Sequence, residues 1–267
     1  MKIIDCFTYC GEDKLLELRL KTLNKHVDQF VIIEGNKYHN GKEKEKAFQL
    51  ENFKEFAHKI KYFFITNFPE HKGNNWLYEN FQRNSISKGL QNLSDEDLIL
   101  ISDLDEIPNL ENEIYKKFDS TVFLQNMYYY KFNIHCYEGL KWKNKWPGTK
   151  ACKSKYFKTA QNVREFRVKS YPWWRFDRKF TRHIENNGGW HFSFLMNEEN
   201  ISKKLQTYAH DEFSSSKFTD IKRIKNKINN LEDLLDRKEL LYKKVEIDKS
   251  FPEELKINKD TYRDFIL

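Results

Sequence analysis

The run LILISDLDEIP, residues 98–108, ends an apolar stretch in three acids, Asp103, Asp105 and Glu106. In extended chain alternate residues point the same way, so Asp103 and Asp105 share a direction while Leu104 turns back toward a core. Two hard oxygen ligands converging in this way can hold Mn²⁺ or Mg²⁺, an ion that keeps several waters and accepts further oxygens from a substrate phosphate. The competing reading is a solvated turn, because Asp and Pro favour loops and an isolated Asp-x-Asp is a weak motif. Position favours chemistry. LILIS reads as a buried strand, and in an open parallel sheet ligands bind beyond the carboxyl ends of the strands.

Other residues could act with these acids. Trp76, Glu79 and Arg83 fall at i, i+3 and i+7 of one predicted helix, NNWLYENFQRN, and so share a face. A solvated Glu79–Arg83 pair would explain two of them. A tryptophan beside the pair argues instead for a face turned toward a ligand, with Arg83 as partner of a diphosphate or carboxylate. In GGWHFSF, His191 follows two glycines that permit close backbone approach, although a histidine between Trp190 and Phe192 also suits a core. The stretches KWKNKWPGTKACKSKYFK (141–158) and SYPWWRF (170–176) could stack sugar rings while Lys and Arg bind hydroxyls or phosphates. Single-stranded nucleic acid asks for the same residue types, and so does core filling behind a solvated lysine face.

The elements that would position these groups are readable from the apolar pattern. KIIDCFTY, FVIIEG and KIKYFFIT read as strands, with a helix after the first (Leu16, Leu20, Leu23, Val27) and an amphipathic segment around Phe48 to Phe56 before the third. This β-α-β-α-β order predicts a parallel sheet covered by helices. Residues 200–244 read as polar helix with Ile221, Ile224, Ile228, Leu231 and Leu235 on one stripe. The chain has 267 residues, 39% hydrophobic and 16% aromatic, with only nine Gly and five Pro, which excludes a disordered or collagenous chain. Its longest apolar runs are strand-sized, so no membrane span is expected. The first residues do not read as a signal peptide, and four unpaired-looking cysteines suggest reduced thiols. A net charge of +7 permits an anionic partner without choosing one.

Four runs, DCFTYCGEDKLLELRLKTLNKHVDQFVIIEG, WLYENFQR, ISDLDEIP and GGWHFSF, occur in that order within residues 1–215 and together resemble glycosyltransferase family 17. That family's chemistry includes adding β-1,4-linked N-acetylglucosamine to the core mannose of N-glycans. The resemblance implies an α/β, GT-A-like nucleotide-sugar fold with a mostly parallel central sheet flanked by helices, and C-terminal helices. It divides the chain into a transferase domain, 1–215, and a helical extension, 216–267, packed on the same domain. Within the former, 1–108 would be the nucleotide-sugar half and 109–215 the acceptor and metal half. A divalent metal, a UDP-sugar donor with UDP-N-acetylglucosamine expected, and inversion at the anomeric carbon are implied with it.

The same resemblance assigns roles. Asp103 and Asp105 hold the metal against the diphosphate, with His191 as a further ligand and His210 its rival. Glu106 either binds the donor's ribose or sugar, or orients its neighbours. Phe7, Thr8, Tyr9 and Glu34, at the ends of the first two strands, border the uracil and ribose, with ordinary packing the alternative, above all for Phe7. Trp76, Glu79 and Arg83 match the family's W-x-x-E-x-x-x-R. A carboxylate must take the acceptor's proton: Glu212 comes first, Asp211 is adjacent, and Asp177 and Glu185 lie where related folds keep this base. Unlike the family's animal Golgi members, the chain shows no anchor or stem, and its Lys/Asn/Phe-rich composition looks bacterial or viral. A cytoplasmic location, or the inner face of a membrane, is expected.

The expected partners are the UDP-sugar and a glycan or lipid-linked oligosaccharide acceptor, without nucleic acid. The stripe at 221–235, backed by Lys222, Arg223, Lys225 and Lys227, either makes a peripheral membrane contact or docks on the core. Two other classes compete: a non-catalytic glycan- or nucleic-acid-binding protein, and a metal-dependent phosphoryl hydrolase.

Overall fold

An apolar run free of glycine and proline forms β1 (Ile3–Thr8) in a computed structural model, which describes residues 1–175, 180–207 and 210–267. Along β1, Ile3 and Phe7 enter the core beneath α1 (Asp13–Leu23), while Ile4 and Cys6 enter a second core on the other face. This alternation covers both faces of the sheet. β2 (Gln29–Gly35) follows, then a 3₁₀ turn at Leu50–Phe56 where an amphipathic segment is expected, then β3 (Ile60–Ile65). α2 (Asn75–Asn84) returns the chain to β4 (Leu98–Asp103). β1 lies between β2 and β4, all parallel, and Thr8 stands opposite both Ile33 and Asp103. The chain therefore reverses its direction of travel across the sheet between β1 and β4. The crevice beyond their carboxyl ends is the switch point at which such sheets bind ligands.

The second half corrects the expectation of a mostly parallel sheet. After β5 (Glu106–Pro108), strands β6 (Ser120–Tyr129), β7 (Ile134–Glu138) and β8 (Trp146–Lys153) are joined by short connections. A parallel crossover needs a dozen or more residues, and only residues 130–133 separate β6 from β7. β8 accordingly pairs antiparallel with both β4 and β6, and β6 antiparallel with β7. α3 (Ala160–Arg164) leads toward β9 (Arg182–Glu185), which runs parallel to β6. β10 (Gly189–Ser193) pairs parallel with β6 and antiparallel with β5.

The tail departs from the expected helices as well. α4 (Glu198–Leu205), the short α5 (Ser216–Thr219) and α6 (Ile221–Asn229) replace one long helix, and the chain then turns through Leu231 and Asp236, both at positive φ. β11 (Leu241–Lys244) adds a strand to β7, and α7 (Glu253–Ile257) packs near α1. Phe251, Leu255 and Tyr262 of this tail belong to the main core. Ile224 and Ile228 are buried in a third cluster with Ile201 and Leu205, so the stripe's main apolar contacts are made inside the protein rather than on a membrane. Among the described residues no helix is long and apolar enough to cross a membrane.

One group on this scaffold links stability to pH. Burial, followed by the nearby Lys243 and Lys145, pushes His135 on β7 down to about 4, and its Nε2 has no hydrogen-bond partner. The unfolded chain protonates near pH 6.5 and the folded one only near 4, so stability falls as pH drops through that window. Urea unfolding should find the protein less stable at pH 5 than at pH 7 by about 1 kcal/mol, after solvent screening of a partly exposed ring. In His135→Leu that component should vanish. An unchanged pH slope in the variant would count against this cause.

Candidate active site

The acid loop is held from beneath by a buried arginine. Arg19 sits on the core face of α1, where the leucine stripe would ordinarily continue, and it is wholly buried with Asp5 of β1. Its guanidinium grips Asp5 through two bonds, Nε to Oδ2 at 2.8 Å and Nη2 to Oδ1 at 2.7 Å. Nη1 donates to the carbonyls of Asp103, Leu104 and Glu106 at 3.0, 3.0 and 2.9 Å. The turn after β4 is thus fastened to β1 by one side chain with five donors in a fixed fork.

Above this anchor the acids are paired with two further arginines. Arg164, the last residue of α3, reaches both oxygens of Glu106 at 2.5 and 3.1 Å, and Asp103 Oδ2 at 3.1 Å. Arg83 of α2 donates to Glu79 at 2.6 Å, to Gln161 at 2.7 Å and to Asp103 Oδ1 at 3.2 Å. Its Nε is buried without a partner. Burial would raise the pKa of Asp103, but Arg164 and then Arg83 outweigh it and hold the carboxyl well below the usual carboxylate range. Glu106 is almost fully buried and also accepts from Trp146 Nε1 at 2.8 Å and the Asp103 amide at 3.1 Å. Both its oxygens thus have protein partners, an arrangement that suits a residue orienting its neighbours.

Asp105 meets a different partner. Its Oδ2 lies 3.7 Å from His191 Nε2, a pair brought together because β10 lies against β5 with His191 opposite Glu106 and because the Phe192 amide donates to the Asp105 carbonyl. Gly188 and Gly189 make this possible. A Cβ on Gly188 would stand 2.4 Å from the Leu124 amide nitrogen, and one on Gly189 2.2 Å from the Ile107 carbonyl oxygen. Burial opposes a charge on His191, yet Asp105 holds its pKa above the usual value.

The match to a family of known chemistry covers most of the chain. The profile described as glycosyltransferase family 17 matches residues 1–251. The chain belongs to that family. The enzymes named beta-1,4-mannosyl-glycoprotein 4-beta-N-acetylglucosaminyltransferase from Homo sapiens and Rattus norvegicus are each 25% identical to it over 242 residues, 79% of this chain and 44% of theirs. The chain thus spans less than half the length of these relatives.

In this family 17 chain, both oxygens of Asp103 accept from arginines, while Asp105 meets His191. Asp105 and His191 could hold a divalent cation between them, since one carboxylate oxygen and one imidazole nitrogen lie 3.7 Å apart. Among the described residues no three His, Cys, Asp or Glu side chains form a complete metal site, so substrate oxygens and water would have to supply the remaining ligands.

The residues expected to border the donor are placed as follows, Phe7 in the packing role that was the stronger reading for it. Phe7 is fully buried under the Arg19 guanidinium, 4.4 Å from its ring centre. Tyr9 is buried too, its hydroxyl donating to Asp13. Glu34 is buried and accepts from Lys44, the amides of Ala47 and Phe48, and Tyr62, so it fastens the 36–48 loop to β2 instead of facing a nucleotide. Thr8 remains half-buried at the switch point. Trp76 is exposed, on the helix that carries Glu79 and Arg83, and its ring meets His210 edge-on at 4.8 Å.

Among the candidate bases, exposed Glu212 accepts or shares a proton with His210 Nδ1 at 2.8 Å, and its own amide and His210 keep its pKa low. Among the described residues, His210 contacts Trp76, Glu212 and Phe213. Glu185 is buried, bonded to Asn187, Asn112 and His183 in the β9 turn. The structural placement of Asp177 and of the Asp211 side chain lies outside what is described. Arg19 and Arg164 are absent from the sequence expectations, and Trp146 enters them only within the aromatic-basic stretch 141–158. A charge inside each of two apolar patterns, Asp5 in IIDCF and Arg19 in LELRL, was the available signal for the first; Arg164 carried none.

Proposed function

We propose that this family 17 member transfers N-acetylglucosamine from UDP-N-acetylglucosamine to a glycan acceptor with inversion, in the presence of Mn²⁺ or Mg²⁺. The observation that carries the reading is the acid loop at the switch point, with Arg83 and Arg164 beside it and Asp105 paired to His191. A sugar diphosphate needs cationic partners in a preorganised crevice, because charge grows on the departing UDP. Arg83, with a spare Nε, and Arg164 supply fixed guanidinium donors there. Bound at Asp105 and His191, a divalent cation would neutralise diphosphate charge. Thr8 borders the same crevice.

Glu212 is the proposed base that takes the acceptor hydroxyl's proton. Its lowered pKa favours the ionised form, and its contact with His210, which packs on Trp76, ties it to the helix that carries Arg83, which supports the choice. Glu106 and Arg19 act through position, holding the loop.

Transfer is read as UDP release that depends on a candidate glycan. Asp105→Asn should lower kcat/KM by about 100-fold or more, and Glu212→Gln should lower kcat by a similar factor, both with unchanged far-UV circular dichroism. Near-wild-type turnover in Glu212→Gln removes it as the base. Calorimetry that finds no UDP-N-acetylglucosamine binding to folded protein with Mn²⁺ removes the transferase reading. Phosphate release without an acceptor would point to a hydrolase instead.

A further inference from the structure

Beyond the acid loop, two cavities of about 300 Å³ each share Lys141, Trp142 and Val168 as walls and so form one groove. Among the described residues its lining carries five cations, Lys141, Lys143, Lys150, Arg167 and Lys169, and no carboxylate. Among the described residues, none of the five makes an ion pair. Lys143 is held at the groove by a tight turn in which it and Asn144 both adopt positive φ, 54° and 56°, between Trp142 and Lys145. That backbone ordinarily selects Asn-Gly, so the lysine is placed at a conformational cost.

Lys150 is the most informative member. It is only 9% exposed, and its ammonium donates to the carbonyl of Arg164. The carboxylates nearest to that region, Asp103 and Glu106, are already taken by the Arg164 side chain. Burial and then Arg164 push Lys150 down to about 8, outweighing Glu106 and Asp103, which act the other way, and no carboxylate among the described residues forms an ion pair with it. A buried ammonium of this kind is expensive unless something anionic completes it.

We propose that the groove around Trp142 is the acceptor subsite and that it takes an acidic saccharide, one bearing a carboxylate or phosphate group; this rests on the transferase reading given above. Trp142 is half-buried against the second core, with the Lys141 ammonium over its ring, and lines both cavities, each of which has room for about one or two sugar residues. Continuity with the acid loop comes through α3, since Arg164 holds Asp103 and Glu106 while Phe166, Arg167 and Val168 just beyond it line the groove. A neutral glycan would leave Lys150 uncompensated. Nucleic acid would call for a longer track of stacking platforms than one tryptophan supplies.

The test compares probes of matched size on the whole chain by calorimetry and tryptophan fluorescence, with UDP and Mn²⁺ present at saturation. Hyaluronan tetrasaccharide is set against chitotetraose, and mannose 6-phosphate against mannose, to separate carboxylate from phosphate. At low salt the acidic member of at least one pair should bind about tenfold tighter or more, and the preference should shrink at about 0.5 M salt. Arg167→Ala with Lys169→Ala, and separately Lys150→Met, should abolish the preference while UDP titrations stay unchanged. Equal binding of neutral and acidic probes, or an acidic preference that survives both variants, overturns the proposal. Oligothymidylate binding tighter than either acidic saccharide also overturns it. UDP binding without acidic preference defeats the groove alone; acidic preference without UDP binding defeats the transferase reading.

Discussion

Arg19→Met should lower the stability of the fold by about 3–5 kcal/mol, read from the midpoint of urea unfolding at constant slope. The substitution keeps most of the apolar stem and removes only the guanidinium. Asp5, wholly buried, is then left as an unpaired charge, and the carbonyls of Asp103, Leu104 and Glu106 lose their shared donor. An unmade bond to a buried polar group costs its full desolvation, which makes breaking such a pair far worse than never having had it. The double variant Asp5→Leu with Arg19→Met should therefore recover part of the loss, because it removes the stranded charge. What it should not recover is donor binding, since the acid loop is still unfastened from β1. A single variant as stable as wild type, or a double variant that restores UDP binding, would refute Arg19 as the anchor of the loop.

Gly189→Ala should be comparably damaging, at about 3 kcal/mol or more, and should weaken UDP-sugar turnover beyond what instability explains. At φ +108 an L side chain is strained, and its Cβ would stand 2.2 Å from the Ile107 carbonyl oxygen and 2.5 Å from the Asn109 nitrogen. Those atoms are backbone on both sides of β5, so relief requires β10 and β5 to separate. Their separation would move His191 away from Asp105, because the two are juxtaposed by this pairing. Gly73 supplies the control. It also has positive φ, +70, but a Cβ there meets nothing within 4 Å, so Gly73→Ala should cost about 1–2 kcal/mol through conformation alone. Equal losses at the two glycines would show that strain, and not the β5–β10 approach, is what matters.

Much of the site was legible before the fold. The apolar runs IIDCFT, FVII and LILIS could only be strands of a covered sheet, and their order with the intervening helix set β1, β2 and β4 parallel. The acids at 103–106 then had to fall at a strand's carboxyl end, which the structure places at the switch point. The face shared by Glu79 and Arg83 followed from helical spacing, and Arg83 does reach Asp103. Packing for Phe7 was the stronger reading from the start, and it is buried; for Glu34 strand-end position was legible, whereas the direction in which the side chain satisfied itself was not. Glu34 found two backbone amides and two side-chain donors in the following loop, and a buried carboxylate so supplied has no reason to face a ligand.

What the sequence by itself determined is therefore local: which segments are strands or helices, which residues share a face, and that a cluster of acids ends a buried strand. Only the tertiary structure decided which charge each acid meets. Asp5 and Arg19 are separated by 14 residues, Arg83 and Asp103 by 20, and Arg164 and Glu106 by 58. No periodic pattern spans such intervals, because a long-range pair is selected by the closure of the whole sheet and by the cost of leaving a buried charge unpaired. The partners of the two aspartates were settled in the same way: Asp103 meets Arg83 and Arg164, and Asp105 meets His191, none of them near in sequence.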